Sequence, residues 1–159
     1  IYSGDEQGFV GKGGDQDSRQ DMFGSKVASY NQEALLGTSA TTATPRFDES
    51  HPLFQEIAKL ARLRTAHPAL RRGETIVRAA EDKPGLFAVT RRDAASGDRV
   101  LLAFNTSAQP ITRHVAIATD IVGYEALAGA CPVAVSAPGS VTITLPAFGY
   151  AVCRGRAQP

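Results

Sequence analysis

Tryptophan is absent from this chain of 159 residues, and methionine, cysteine and histidine are scarce, at one, two and three copies. Without tryptophan the chain lacks the broadest aromatic surface for stacking a flat ligand. A strong charge of either sign is also missing. The net charge is +1, and the arginines stand singly or in pairs (Arg71-Arg72, Arg91-Arg92), so no basic stripe forms. That removes the electrostatic case for nucleic acid or an anionic membrane surface as a partner. No apolar run approaches the ~18 residues of a membrane helix. Cys131 and Cys153 have no CxxC spacing and no neighbouring histidine, which argues against zinc. A structural disulfide, in an exported protein, and two buried free thiols are both open readings for this pair. The chain opens on Ile1-Tyr2 with neither an initiator methionine nor a lead-in. We read it as a piece of something larger, in which the absence of a secretion signal says nothing; an extracellular or periplasmic setting is marginally favoured.

What is present is an ordinary globular composition, 43% apolar and 21% charged, enough for one good core or two small ones. The first twenty-one residues are the unusual part. Two β-formers break at Ser3-Gly4 into a loop with glycine at 8, 11, 13 and 14 and charge at Asp5, Glu6, Asp15, Asp17, Arg19 and Asp21. Such a stretch is too glycine-rich to pack as an element and too charged for a core. Loops at strand ends are where scaffolds hold binding groups.

Residues 22 to 50 carry no sustained period, although Met22 to Ser25 and Gln32 to Leu36 each suit a helical turn. Ser50-His51-Pro52 then announces a helix, with Ser50 as N-cap and proline in the first turn. Leu53, Phe54, Ile57, Leu60, Ala61 and Leu63 recur at helical spacing, and Pro68 ends the helix near Ala66. After Gly73 the period changes to two. Strands are expected at Glu74 to Ala80, Leu86 to Arg92, Arg99 to Asn105, Ile111 to Ala118, Tyr124 to Leu127, Val133 to Val135, Ser140 to Leu145 and Tyr150 to Cys153. Val100 to Phe104 is apolar on both faces and reads as a central strand. About eight short strands with turn signals between them indicate an antiparallel β-sandwich of Greek-key type.

Several motifs fail on inspection. Asp15, Asp17 and Asp21 suggest a calcium loop, but an EF-hand needs glycine and glutamate where Gln20 and Lys26 stand. The glycines end in no Gly-Lys-Ser/Thr and precede no helix, so neither a P-loop nor a dinucleotide site is present. His51, His67 and His114 are unrelated in sequence. What remains is Asp15 and Arg19, four residues apart. An arginine fork beside a carboxylate offers donors and acceptors to a neutral polar ligand such as a sugar, and is equally consistent with a solvated loop braced by its own ion pair.

Three stretches resemble the α-amylase family of glycoside hydrolases. IYSGDEQGF is similar to the YGxEQ segment at that family's eighth barrel strand, with Ser3 where a second tyrosine is common. GGDQDSRQDMF resembles the Asp-x-x-x-Arg loop after that strand, and HPLFQEIAKLARLRTAHPALRRG resembles the last barrel helix and its exit. The resemblance implies a mainly β chain: the last β/α unit of a truncated (β/α)8 barrel over residues 1–70, then an all-β domain over 71–159. It implies that Asp15 and Arg19 bind substrate at sugar subsites away from the cleaved bond, and that Glu6 is a structural carboxylate. The catalytic carboxylates, which retaining glycosidases need as a pair, and the family's calcium ligands would lie upstream. On this reading Asp5 and Glu6 are not a catalytic pair, this piece is inactive alone, and it holds no cofactor. The partner of the parent enzyme would be an α-1,4-glucan, cleaved or transferred through a covalent glycosyl intermediate. The rival readings are a non-catalytic sandwich, structural or carbohydrate-binding, and a transglycosylase or isomerase of the same family. The apolar helix face of Leu53, Phe54, Ile57 and Leu60 would need cover, either by collapse onto the sandwich or by self-association.

Overall fold

The computed structural model describes residues 1–11, 13–129, 131 and 135–158. The chain forms two compact units, Ile1–Arg62 and Leu63–Pro159. Among the described residues no helix is long and apolar enough to cross a membrane.

The second unit is the sandwich. Its strands are β1 (Glu74–Ala80), β2 (Leu86–Arg92), β3 (Arg99–Asn105), β4 (Ile111–Ala116), β5 (Ile121–Gly129), β6 (Ser140–Leu145) and β7 (Tyr150–Ala157). Five of them form an antiparallel sheet in the order β1-β2-β3-β7-β5, and β4 pairs with β6 in a second. The inner faces interdigitate through Leu86, Leu101, Val115, Ile143 and Leu145. The period-two pattern is obeyed closely: Val141, Ile143 and Leu145 are buried while Ser140, Thr142 and Thr144 alternate outward. β3 sits at the centre of the larger sheet and buries both Val100 and Leu101. Of the expected strand Val133 to Val135, Val133 and Ala134 lie outside the described residues. A disulfide joins Cys131 to Cys153 of β7 across 22 residues, which decides between the two readings of those cysteines. The outer face of the larger sheet is covered at Val100, Ala128 and Val152 by Leu63, Ala69 and Leu70.

Ala69 and Leu70 belong to α3 (Pro68–Arg72), a short helix separated from α2 (Pro52–Ala66) by one residue, His67. The β2–β3 hairpin fastens α3. Asp98 accepts the Ala69 amide at 3.3 Å, and Arg72 bridges Asp93 at 3.3 Å. The guanidinium of Arg72 and the Ser96 hydroxyl hold the Asp93 carboxyl below its usual range. Arg99 does the same to Asp120, and Arg113 to Glu81. A depressed carboxyl contributes stability above its unfolded pKa of ~4 and loses it as pH falls through the folded value. The melting temperature is therefore expected to stay level from neutral pH to about 5 and to fall below about 4. Thermal melts across this range check it, and Asp93→Asn is expected to flatten the fall.

Candidate functional site

The first unit has little apolar core; Leu35 is its one large apolar side chain among the buried residues. Polar staples hold it instead. Buried Gln7 pairs its amide with the Asp48 backbone, donating to the carbonyl and accepting from the N–H at 3.0 Å each. Buried Gln20 donates to Glu33 Oε2 at 2.7 Å, and the Thr42 hydroxyl donates to Asn31 Oδ1 at 2.9 Å. Ile1 and Tyr2 are exposed and form no strand. Asp5–Gln7 and Asp17–Arg19 are single 3-10 turns. The helical turn of residues 22–36 is α1 (Ala28–Asn31), between the two stretches expected for it.

His51, rather than Ser50, caps α2. Pro52 has no N–H to satisfy, and the Leu53 amide donates to His51 Nδ1 at 3.2 Å. The Nε2 edge lies 3.0 Å from the Leu36 carbonyl, so the neutral ring carrying its proton on Nε2 satisfies both partners. Ser50 lies one residue too early and gives its hydroxyl to Asp48 at 2.6 Å; that bond is the main cause of the lowered Asp48 pKa. The apolar face of α2 is only partly covered: no residue of the helix is fully buried.

The glycines shape the loop through close approach. Gly8 has φ of 81°, and a Cβ there would lie 2.1 Å from the Leu36 carbonyl oxygen, across a backbone bond from Leu36 N to Gly8 O of 2.9 Å. Gly8→Ala is expected to destabilise this unit by at least the ~1–2 kcal/mol of a left-handed non-glycine residue, with the clash added. Hydrogen exchange should show residues 4–9 and 34–37 losing protection while the sandwich keeps its own.

Asp15 and Arg19 stand on the rim. Arg19 Nη2 lies 2.5 Å from Asp15 Oδ2, with both side chains well exposed at 60% and 74%. Together with Tyr2 and Ser18 they line an open hollow of about 400 Å³. Ser18 is held by its amide and hydroxyl on the Gly14 carbonyl, at 3.2 and 3.0 Å. Asp15 Oδ1 and the remaining Arg19 N–H groups have no partner among the described residues, so the pair presents both an acceptor and donors to the hollow. Asp5 and Glu6 are turned onto their own loop. Asp5 accepts the Tyr2 amide at 2.7 Å and Glu6 the Gly4 amide at 3.2 Å. Among the described residues no group of three or more His, Cys, Asp or Glu side chains is arranged to hold a metal ion.

No family model matches the chain. An alpha-amylase of Streptomyces lividans is 41% identical over 155 residues, 97% of this chain. Over nearly its whole length this chain is similar to one stretch of that alpha-amylase. It spans 17% of the length of that relative. Two solved structures are similar in fold. An AmyP variant in complex with maltotriose matches 74% of this chain and 23% of its own at a TM-score of 0.58 and 23% identity. An Anoxybacillus alpha-amylase matches 77% and 26%, also at 0.58, with 18% identity. At these identities the structural likeness is one of fold alone.

Proposed function

We propose that this chain is the part of an α-glucan-active glycoside hydrolase that supplies one sugar subsite and a stabilising β domain. Asp15 and Arg19 grip the hydroxyls of a glucose unit away from the cleaved bond, with the carboxylate accepting and the guanidinium donating. The observation that carries this reading is the exposed, mutually braced pair on the rim of an open hollow, with bonding capacity left on both partners. A charge-assisted contact of this kind suits a neutral polyol, which needs donors and acceptors at once. In the parent enzyme the reaction is hydrolysis or transfer at α-1,4-linked glucose, performed by carboxylates that come from elsewhere in the barrel.

The chain alone is accordingly expected to release no reducing sugar from starch or maltooligosaccharides. Asp5 and Glu6 are engaged by their own backbone. Reducing-sugar release by the purified chain above a heat-killed control would overturn this. The exposed Ile1 and Tyr2, with Phe54 and Ile57 of α2, line a largely apolar hollow of about 420 Å³. We propose that a second copy covers this hollow when the chain is isolated, so the sedimentation coefficient rises with concentration.

A further inference from the structure

The two-stranded sheet is too narrow to cover the whole inner face of the five-stranded one. At the open end a pocket of about 240 Å³ remains, lined in part by the 117–121 connection between β4 and β5. Its floor is apolar, made by Leu101, Ile117 and Ile121, all members of the core. Its polar groups are nearly all donors. Arg78 spends its Nε on the Thr90 hydroxyl at 2.9 Å and keeps its terminal N–H groups. The Arg92 guanidinium, exposed at the mouth, has no hydrogen-bond partner among the described residues and acts on Asp120 only through its charge. Tyr124 is 7% exposed, and its hydroxyl has no partner among the described residues either. Arg99 is already committed to Asp120, with both contacts at 2.6 Å. Three guanidinium groups thus face one carboxylate, itself engaged.

We propose that this pocket binds a small monocarboxylate with an apolar body, the carboxylate held by Arg78, Arg92 and the Tyr124 hydroxyl and the body lying on Leu101, Ile117 and Ile121. A planar carboxylate matches the guanidinium fork. The Tyr124 phenol, pushed up to about 12 by burial, stays protonated and donates at neutral pH. A sugar is the poorer ligand, because its hydroxyls need acceptors as well as donors, and the acceptors here, Thr90 and Asp120, are outnumbered by the donors and already engaged by arginines. Inorganic phosphate has nothing to place on the apolar floor. The size also fits a small ligand, since the pocket falls just below the ~300–1,000 Å³ range of drug-sized sites.

The test is an NMR titration of the 159-residue chain with benzoate, benzamide and inorganic phosphate in parallel. Benzoate is expected to give saturable shifts at Arg78, Arg92, Ile117 and Tyr124, with benzamide at least tenfold weaker. Losing one charged hydrogen bond costs about tenfold or more in affinity, so Arg92→Gln should weaken benzoate by that factor while leaving the spectrum of the fold intact. The proposal is overturned by an absence of saturable shifts, by benzamide binding as well as benzoate (an apolar hole only), or by phosphate matching benzoate (a bare anion site). Equal affinity for benzoate in Arg92→Gln also overturns it.

Discussion

Replacing both half-cystines, as Cys131→Ala with Cys153→Ala, is expected to cost the sandwich about 3 kcal/mol, from the loop-closure entropy of a bridge spanning some 22 residues. Cys153 is fully buried in β7 among the side chains of both sheets, and the bridge ties that strand to the segment after β5. With the sandwich and α3 falling within Leu63–Pro159, each kcal/mol corresponds to roughly 4–8 °C. The melting temperature of that unit should therefore drop by about 12–24 °C. Calorimetry of the oxidised chain and the double variant measures it directly. Equal melting temperatures would show that neither the cross-link nor the packing of the Cys153 sulfur supports this end of the sheet.

The second large effect is on substrate binding. A chimera in which this chain replaces the matching segment of the Streptomyces lividans alpha-amylase provides a working enzyme in which to read it. There, Arg19→Ala is expected to raise KM for long maltooligosaccharides about tenfold or more, since each charge-assisted hydrogen bond is worth ~1.5–3 kcal/mol. A contact made equally in ground and transition states appears in KM and leaves kcat nearly unchanged. Arg19→Lys keeps the charge but loses the planar fork, and should recover part of the loss. Asp15→Asn should fall between, because it loses the brace on Arg19 while keeping one acceptor. Kinetics unchanged in all three variants would return Asp15 and Arg19 to a solvated ion pair.

The sandwich was legible in the sequence because a half-buried strand writes its environment into every second residue. Ser140 to Leu145 and Val100 to Phe104 could each be assigned a face, and the latter a central place in the sheet. The Asp15–Arg19 pair was legible for a similar reason, since four residues and a helical turn bring the two together locally. The first unit was not. Its order comes from Gln7 meeting Asp48 and Gln20 meeting Glu33, contacts 41 and 13 residues apart that leave no periodic trace. The α2 cap fell to His51 because helix caps are set by which N–H groups are orphaned. Pro52 moved that need to Leu53, within reach of an imidazole that residue preference ranks below serine. The short helix α3 was hidden in the exit from α2, where Pro68 marks a boundary that a turn, a strand or a new helix could equally succeed. The Cys131–Cys153 bridge needed the register of β7 beside β5, which spacing alone does not supply.

The most direct test of the Asp15–Arg19 subsite is the structure of that chimera with maltotriose bound. The expected result is a glucose unit in the hollow between Tyr2, Ser18 and the ion pair, with its hydroxyl oxygens about 2.7–3.2 Å from Asp15 and Arg19. Occupied sugar subsites elsewhere in the chimera, with only solvent between Tyr2 and Arg19, would contradict it.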